Sequence, residues 1–216
     1  MATTQQIIRH TEKWVQQQLA GDVSGHDWWH ACRVRTLALH IARKEKANLF
    51  ITEMAALLHD VADWKKKKGA EQYLLIENFL KKMKVDPSAA EVIMDIVKNI
   101  SFKGAGVKDR MKSIEGKIVQ DADRLDAMGA TGIARAFAYG GHAGQPIWDP
   151  RTKPVLHSSF AEYKAMRSST INHFYEKLLL LKDRMHTREG KKIARERHRF
   201  MKNYLAVFFK EWKGIR

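Results

Sequence analysis

Residues 55–63 read AALLHDVAD, an apolar helical segment that runs directly into a histidine, an aspartate and a second acid. The alanines and leucines place His59 and Asp60 toward the protein interior. An unpaired carboxylate there is costly or changes its protonation state. A buried cation removes this penalty, because it pairs with the carboxylate and takes an imidazole nitrogen as a ligand. The stretch therefore predicts a buried metal site at a helix.

A second stretch, residues 118–126, repeats the pattern as IVQDADRLD, with acids embedded in an apolar helix. Asp121, Asp123 and Asp126 are the acids concerned. A third stretch, near the N-terminus, supplies two histidines, His26 and His30. Two acid-bearing segments and one histidine-bearing segment indicate that all three contribute to one metal site.

Helical periodicity dominates the rest of the chain, and convincing alternating strands are absent, so the sequence predicts an all-α fold. We expect Thr52 to cap the third helix and Pro87 to open the fifth. The predicted helices cover 4–20, 26–46, 52 onward, 70–84, 87–100, 113–128, 131–139, 158–185 and 187–212.

Six glycines and prolines fall within residues 140–154 and predict one long loop. We expect one domain over residues 1–216, with a core at about 20–140, a loop at 140–157 and C-terminal helices at 158–214. An ordinary surface loop is the default interpretation of 140–157, and a cover over the active site is the alternative.

Composition limits the class of protein. The chain has 216 residues with 44% hydrophobic content, which is enough for a core. Its one cysteine, Cys32, excludes an intrachain disulfide. No segment has the apolar length of a signal peptide or a membrane span. We therefore expect a soluble, cytoplasmic protein without a membrane partner.

The formal net charge of +15 is concentrated in residues 65–68, 182–184 and 191–199. A basic protein attracts polyanions such as nucleotides, nucleic acid and anionic lipid surfaces. Basic runs are also common on solvated helix faces. The charge favours an anionic substrate or partner without choosing among them.

The three stretches resemble, in order, the motifs of the HD superfamily of metal-dependent phosphohydrolases. A bare His-Asp dipeptide carries no information, whereas three motifs in order on predicted helices are specific. The matching segments are residues 25–34 (GHDWWHACRV), 57–63 (LLHDVAD) and 121–130 (DADRLDAMGA).

Residues 132–141, GIARAFAYGG, are similar to a bacterial subgroup, the YedJ/YpgQ-like proteins. The resemblance covers roughly residues 20–160. It implies a compact helical HD-domain bundle with additional C-terminal helices. Because some members of the subgroup are nucleoside triphosphate pyrophosphatases, it also implies hydrolysis of (deoxy)nucleoside triphosphates to monophosphate and pyrophosphate by a metal-activated water. A nucleotide phosphomonoesterase or phosphodiesterase of the same superfamily is the alternative.

The resemblance implies four metal ligands: His30, His59, Asp60 and Asp123. Two imidazoles and two carboxylates suit one divalent ion, with Mn²⁺ favoured over Mg²⁺, Fe²⁺, Co²⁺, Ni²⁺ or Zn²⁺. HD proteins with two metals carry extra histidines between the HD pair and the final aspartate. This chain has none there, so we expect a mononuclear site.

Other roles follow from proximity to these ligands. By the same resemblance, Asp63 assists the attacking water as a general acid–base, with an orienting or ion-pairing role as the alternative. Asp126 is expected to orient an imidazole or to bind sugar. The predicted substrate-binding residues are His26, Arg33, Lys65, Arg124 and Asp126.

Two competing interpretations come from other classes of protein. His26 and His30 have the spacing of a zinc metalloprotease helix, but that interpretation leaves His59, Asp60 and Asp123 unexplained. Nucleic-acid binding by the basic C-terminal helices is the more serious alternative, although nucleic acid is not the favoured partner. Aromatic residues at helical spacing in the last helix suggest core packing or a homodimer contact.

Overall fold

The computed structural model describes residues 3–21, 25–61, 69–100, 111–156 and 168–215. These ranges are helical and contain no β-strand, which confirms the predicted all-α class. None of their helices is long and apolar enough to cross a membrane. The described helices are α1 (Thr4–Gln18), α2 (Trp28–Glu45), α3 (Leu49–Leu58), α4 (Gly69–Lys82), α5 (Pro87–Asn99), α6 (Ile114–Asp126), α7 (Gly129–His142), α8 (Thr170–Glu176), a 3-10 helix (Leu178–Arg184) and α9 (Arg188–Trp212).

Side-chain caps set the start of two site-bearing helices. Asp27 caps α2 and accepts a hydrogen bond from the His30 amide at 2.9 Å, so α2 begins at Trp28 and the predicted start at residue 26 is wrong. Asn48, not Thr52, caps α3. The Thr52 hydroxyl instead donates to the Asn48 carbonyl at 2.8 Å from within the first turn.

The C-terminal half of the chain differs from the predicted helices in two places. Helix α7 continues through His142, so it extends past residue 139 into the predicted loop. The predicted helix 158–185 is interrupted after Glu176, where Lys177 takes φ −142° and ψ −59°. A 3-10 helix follows, and its i,i+3 period buries both Leu178 and Leu181. Residues 158–167 of that prediction lie outside the described ranges.

The chain divides into two compact units, the first formed by Met1–Phe102 and Lys108–Ala122, the second by Lys103–Val107 and Asp123–Arg216. The single domain expected over residues 1–216 stays a prediction. Within the first unit, α3 packs against α1, α2 and α5. Residues Met54 to Leu58 of α3 are all buried, so the C-terminal end of this helix lies within the core.

An ion-pair network joins three helices of the first unit. Arg35 on α2 donates through Nε to Glu53 of α3 at 2.7 Å and also pairs with Glu12 of α1. Burial lowers the pKa of Arg35, but its bonds to Glu53 and Glu12 outweigh burial and raise that pKa above its ordinary value. The network fixes α2 against α3 one turn beyond His30.

In the second unit, α9 packs against α7 and the 3-10 helix, and α8 packs against both of these as well. The segment after α7 is tied down, because the amides of Thr170 and Ile171 donate to the carbonyls of Pro146 and Ile147 at 3.0 Å each. Trp148 packs edge-on against aromatic rings of α9. The glycine- and proline-rich loop is therefore anchored within its own unit.

Candidate metal centre

His59 is the first residue after α3 and is buried. Its Nδ1 lies 2.7 Å from the carbonyl oxygen of Ala56, one turn earlier. When Nδ1 carries the ring proton, it donates to this carbonyl, and Nε2 presents its lone pair on the other side of the ring. Such a backbone bond fixes the orientation of a ligand imidazole.

His30 faces His59 from α2. Its side chain is 0% exposed, and its Nε2 lies 3.2 Å from the Nε2 of His59 and 3.2 Å from Oδ2 of Asp60. The two rings meet edge-on, with centroids 5.2 Å apart. Helices α2 and α3 therefore direct two imidazole nitrogens at the same point.

Asp60 is the carboxylate at the centre of this group and is 6% exposed. Its Oδ1 lies 3.4 Å from the Nε2 of His59, and its Oδ2 lies 2.9 Å from the Nδ1 of His26. Burial raises the pKa of Asp60, but the three surrounding imidazoles outweigh burial and hold that pKa well below its usual range. The surroundings of Asp60 therefore favour the charged form of its carboxyl group.

His26 contacts the Asp60 carboxylate directly. Asp27 caps the N-terminus of α2, so His26 lies before the helix, and its ring contacts Asp60. Ligand atoms of His26, His30 and Asp60 lie within 4.8 Å of one another. The sequence assigned His26 to substrate, and that role stays a prediction beside this observed contact.

Asp123 lies on the last turn of α6 and is half-buried. One ligand atom each from His30, His59 and Asp123 lies within 4.8 Å of the others. The assignment of His30, His59, Asp60 and Asp123 as the metal ligands stays a prediction.

The donor set fits a divalent cation. Two imidazole nitrogens lie 3.2 Å apart with a carboxylate beside them, and a cation could take all three as ligands. Imidazole and carboxylate are ligands that Mn²⁺, Fe²⁺ and Zn²⁺ all accept. The residues present can therefore hold a metal, and their types leave its identity open.

Arg124 and Asp126 are both buried in the second unit. The Arg124 guanidinium donates to the Arg184 carbonyl and lies 3.2 Å from the Nε2 of His186. Asp126 forms an ion pair with Nη1 of Arg135 at 2.8 Å. These contacts give both residues structural partners, and their substrate roles stay predictions.

The remaining predicted site residues are Arg33, Asp63 and Lys65. Arg33 is half-buried on α2, three residues after His30. Asp63 and Lys65 lie outside the described residues. The assigned roles of all three stay predictions.

Three residues that support the site's helices were missed in the sequence. Asp27 was readable as a cap, because an aspartate preceded the apolar-periodic segment. Arg197 of α9 donates to the Leu125 carbonyl at 2.5 Å, at the end of α6. Gly129 has φ +71°, and a Cβ there would lie 3.0 Å from Cγ of Arg197. No local signal in the sequence links these last two residues.

Comparison with known proteins bears on the identity of this centre. The HD domain family matches residues 28–128, a span that includes all four predicted metal ligands. The chain is 40% identical to Bacillus subtilis YpgQ over 208 residues, which cover 94% of this chain and 92% of YpgQ.

Solved structures agree with this comparison. An HD-superfamily hydrolase from Bacillus thuringiensis is 42% identical, with a TM-score of 0.78 and coverage of 98% of this chain and 99% of that one. A Lactobacillus plantarum protein is 37% identical, with a TM-score of 0.87 and coverage of 99% and 100%. Bacillus subtilis YpgQ in complex with ADP is 36% identical, with a TM-score of 0.78 and coverage of 97% of each chain.

The similarity extends over nearly the whole chain and includes the segments that form the histidine–aspartate group. The resemblance read from the three sequence motifs is confirmed. The chain belongs to the HD superfamily of metal-dependent phosphohydrolases, in the group that includes Bacillus subtilis YpgQ.

Proposed function

We propose that this protein hydrolyses (deoxy)nucleoside triphosphates to the monophosphate and pyrophosphate, with one divalent metal ion, favoured as Mn²⁺, held by His30, His59, Asp60 and Asp123. The observation that carries the proposal is the buried Asp60 carboxylate, whose oxygens lie 2.9 to 3.4 Å from ring nitrogens of three imidazoles, in an HD-superfamily chain. A cytoplasmic location is part of the proposal, and the single cysteine favours it.

A bound metal would lower the pKa of a coordinated water molecule and would neutralise negative charge on the phosphate. The protein's own residues orient the donor atoms. The Ala56 carbonyl fixes the ring of His59, and Nδ1 of His26 holds one oxygen of Asp60. Such partners of metal ligands set ligand orientation and basicity. Burial of His30 and His59 keeps bulk water from competing at these nitrogens.

The nucleotide part of the proposal rests on a relative. The YpgQ structure contains ADP, and YpgQ is similar over 97% of this chain. ADP carries the base, sugar and α,β-phosphates that a nucleoside triphosphate also presents. The net charge of +15 favours a polyanionic substrate of this kind.

The predicted substrate contacts complete the proposal. Asp63 would take or return a proton at the attacking water through its carboxylate. Lys65 and Arg33 would contact phosphate oxygens as charge-assisted donors. Of these three residues, only Arg33 lies in the described ranges, on α2 and about one turn after His30.

The test is a screen of nucleoside tri-, di- and monophosphates with added Mn²⁺, in which phosphate and pyrophosphate are assayed separately. We expect pyrophosphate and monophosphate in equal amounts from triphosphates, and no product with chelator. Release of phosphate alone would support the phosphomonoesterase alternative. Absence of hydrolysis with every metal and every nucleotide would contradict the proposal.

A further inference from the structure

Helix α9 carries a row of basic side chains along its first four turns, with one more cation near its end, that the metal chemistry does not use. The helix has 25 residues, so it is about 37 Å long. At 3.6 residues per turn, the row occupies about 100° of the helix circumference. All members are exposed, and we call them the basic row: Arg188, Lys191, Lys192, Arg195, Arg199, Lys202 and Lys210.

The rest of α9 fixes this row toward solvent. Gly190, Ala194, Met201 and Leu205 are buried on a different face, where α9 packs against α7 and the 3-10 helix. The helix contains eight basic and three acidic residues, and the acids lie outside the row. One of these acids, Glu189, lies 4.0 Å from Lys192, at the edge of the row. The row is therefore a fixed, strongly positive surface.

Such a row weakens the helix that bears it. Lys191, Arg195 and Arg199 follow each other at i,i+4 spacing, where like charges repel. Glu196, three residues before Arg199, is the one acid at i,i+3 or i,i+4 spacing from these three cations, so most of the repulsion is not offset along the helix. A bound polyanion relieves this repulsion. Local conflicts of this kind are expected at functional surfaces.

We propose that the basic row binds the sugar-phosphate backbone of duplex nucleic acid without regard to sequence. Charge complementarity selects the partner, because a duplex carries about one negative charge per 1.7 Å of its axis. From Arg188 to Lys202 successive cations of the row stand about 1.5 to 6 Å apart along α9, which allows at least one contact per helical turn. Lysine and arginine both contact phosphate oxygens, which carry no sequence information.

Two other polyanionic partners fit less well. A single strand binds through stacking on aromatic side chains, and the row has none. A helix that lies on a membrane inserts its apolar face into lipid, whereas Ala194, Met201 and Leu205 of α9 are buried in its own unit. Duplex nucleic acid is the partner that needs only a fixed line of cations.

The test measures binding of the full chain to a labelled mixed-sequence DNA duplex over a range of salt concentrations, with and without chelator. The row variant replaces Lys191, Arg195, Arg199 and Lys202 with glutamine, a good helix former at exposed positions. We expect the salt slope to fall in magnitude by about one per lost cation, and affinity at moderate salt to fall at least about tenfold. Chelator should change neither value.

A matched control removes four exposed cations from the other unit: Arg43→Gln, Lys44→Gln, Lys81→Gln and Lys82→Gln. We expect this variant to keep most of the wild-type slope. Equal loss in the two variants would overturn the proposal, because it would show general attraction to a basic protein. Nucleotide hydrolysis that falls with duplex binding in the row variant would also overturn it, since the row would then belong to the substrate site.

Two further probes decide the class of partner. We expect the duplex to bind more tightly than the single strand of the same sequence. We also expect it to bind more tightly than vesicles of phosphatidylcholine and phosphatidylserine. Tighter binding of the single strand, or row-dependent binding to vesicles without binding to the duplex, would overturn the proposal.

Discussion

Asp60 and Asp126 are both buried carboxylates, 6% and 1% exposed, yet their partners differ in kind. Asp60 is surrounded by three imidazoles in the first unit. Asp126, in the second unit, pairs with the guanidinium of Arg135 at 2.8 Å. The two regions therefore neutralise a buried negative charge by different chemistry.

The difference separates a group of side chains suited to a cation from a carboxylate already paired with a charged side chain. A guanidinium is charged at every physiological pH, so Asp126 needs nothing further. Among the described residues, no permanently charged side chain pairs with Asp60, and a metal ion held by the same imidazoles would supply that charge. Variants in the two regions should alter different measured properties.

The largest effect is expected at Asp60. Asp60→Ala removes the carboxylate that faces all three imidazoles, so we expect loss of metal retention and of hydrolysis, by about a thousandfold or more. Helix content should remain near wild type by circular dichroism. Metal content and product release are the measurements.

The control for this variant is Asp183→Ala, which removes a carboxylate from the surface of the 3-10 helix. It should leave metal content and hydrolysis unchanged. Full activity of Asp60→Ala in the presence of chelator would remove the metal site from the account.

The arginine pair should act on stability instead. Arg135→Ala leaves Asp126 buried without its partner, so we expect the free energy of unfolding in urea to fall by about 3 kcal/mol. The double change Asp126→Leu with Arg135→Met should recover much of this loss, because it removes both charges and keeps apolar volume. An unchanged unfolding midpoint in Arg135→Ala would show that the pair contributes nothing.

A smaller effect is expected at His26, which holds one oxygen of Asp60. His26→Ala should weaken metal affinity by about 10- to 100-fold, as is typical for a residue that orients a ligand. Isothermal titration of the metal-free protein with Mn²⁺ measures this. His10→Ala, at an exposed histidine of α1, is the control. Unchanged affinity with a raised KM would instead assign His26 to substrate.

The smallest effect is expected at Gly129, where α7 begins beside Arg197. Gly129→Ala adds a contact of 3.0 Å with Cγ of Arg197 to the strain of φ +71°. Gly144→Ala has a similar φ of +65° and meets nothing within 4 Å. We expect Gly129→Ala to cost about 1 kcal/mol more stability than Gly144→Ala. Equal unfolding midpoints would show that the Arg197 side chain moves aside without a cost in stability.

The all-α class and most of the helices were readable from local sequence. The assignment of the four metal ligands came from the resemblance to the HD superfamily and stays a prediction. An apolar run before His59 and Asp60 fixes both helix and burial within a few residues, and the same holds around Asp123. All-α class follows from a periodicity that repeats along the chain. Local patterns of this kind need no knowledge of distant contacts.

Features that depend on distant residues were not readable. The bond of His26 to Asp60 joins residues 34 positions apart, and that of Arg197 to Leu125 joins residues 72 apart. The break at Lys177 arises because the packing of Leu178 and Leu181 favours a tighter helix. A leucine run with charged neighbours fits an α-helix equally well on local grounds.

The histidine–aspartate group is the centre of the account, and a crystal structure with Mn²⁺, with data collected at the manganese absorption edge, tests it most directly. We expect one anomalous peak per chain, in contact with His30, His59, Asp60 and Asp123. A peak elsewhere, two peaks in the group, or no peak at saturating Mn²⁺ would contradict it.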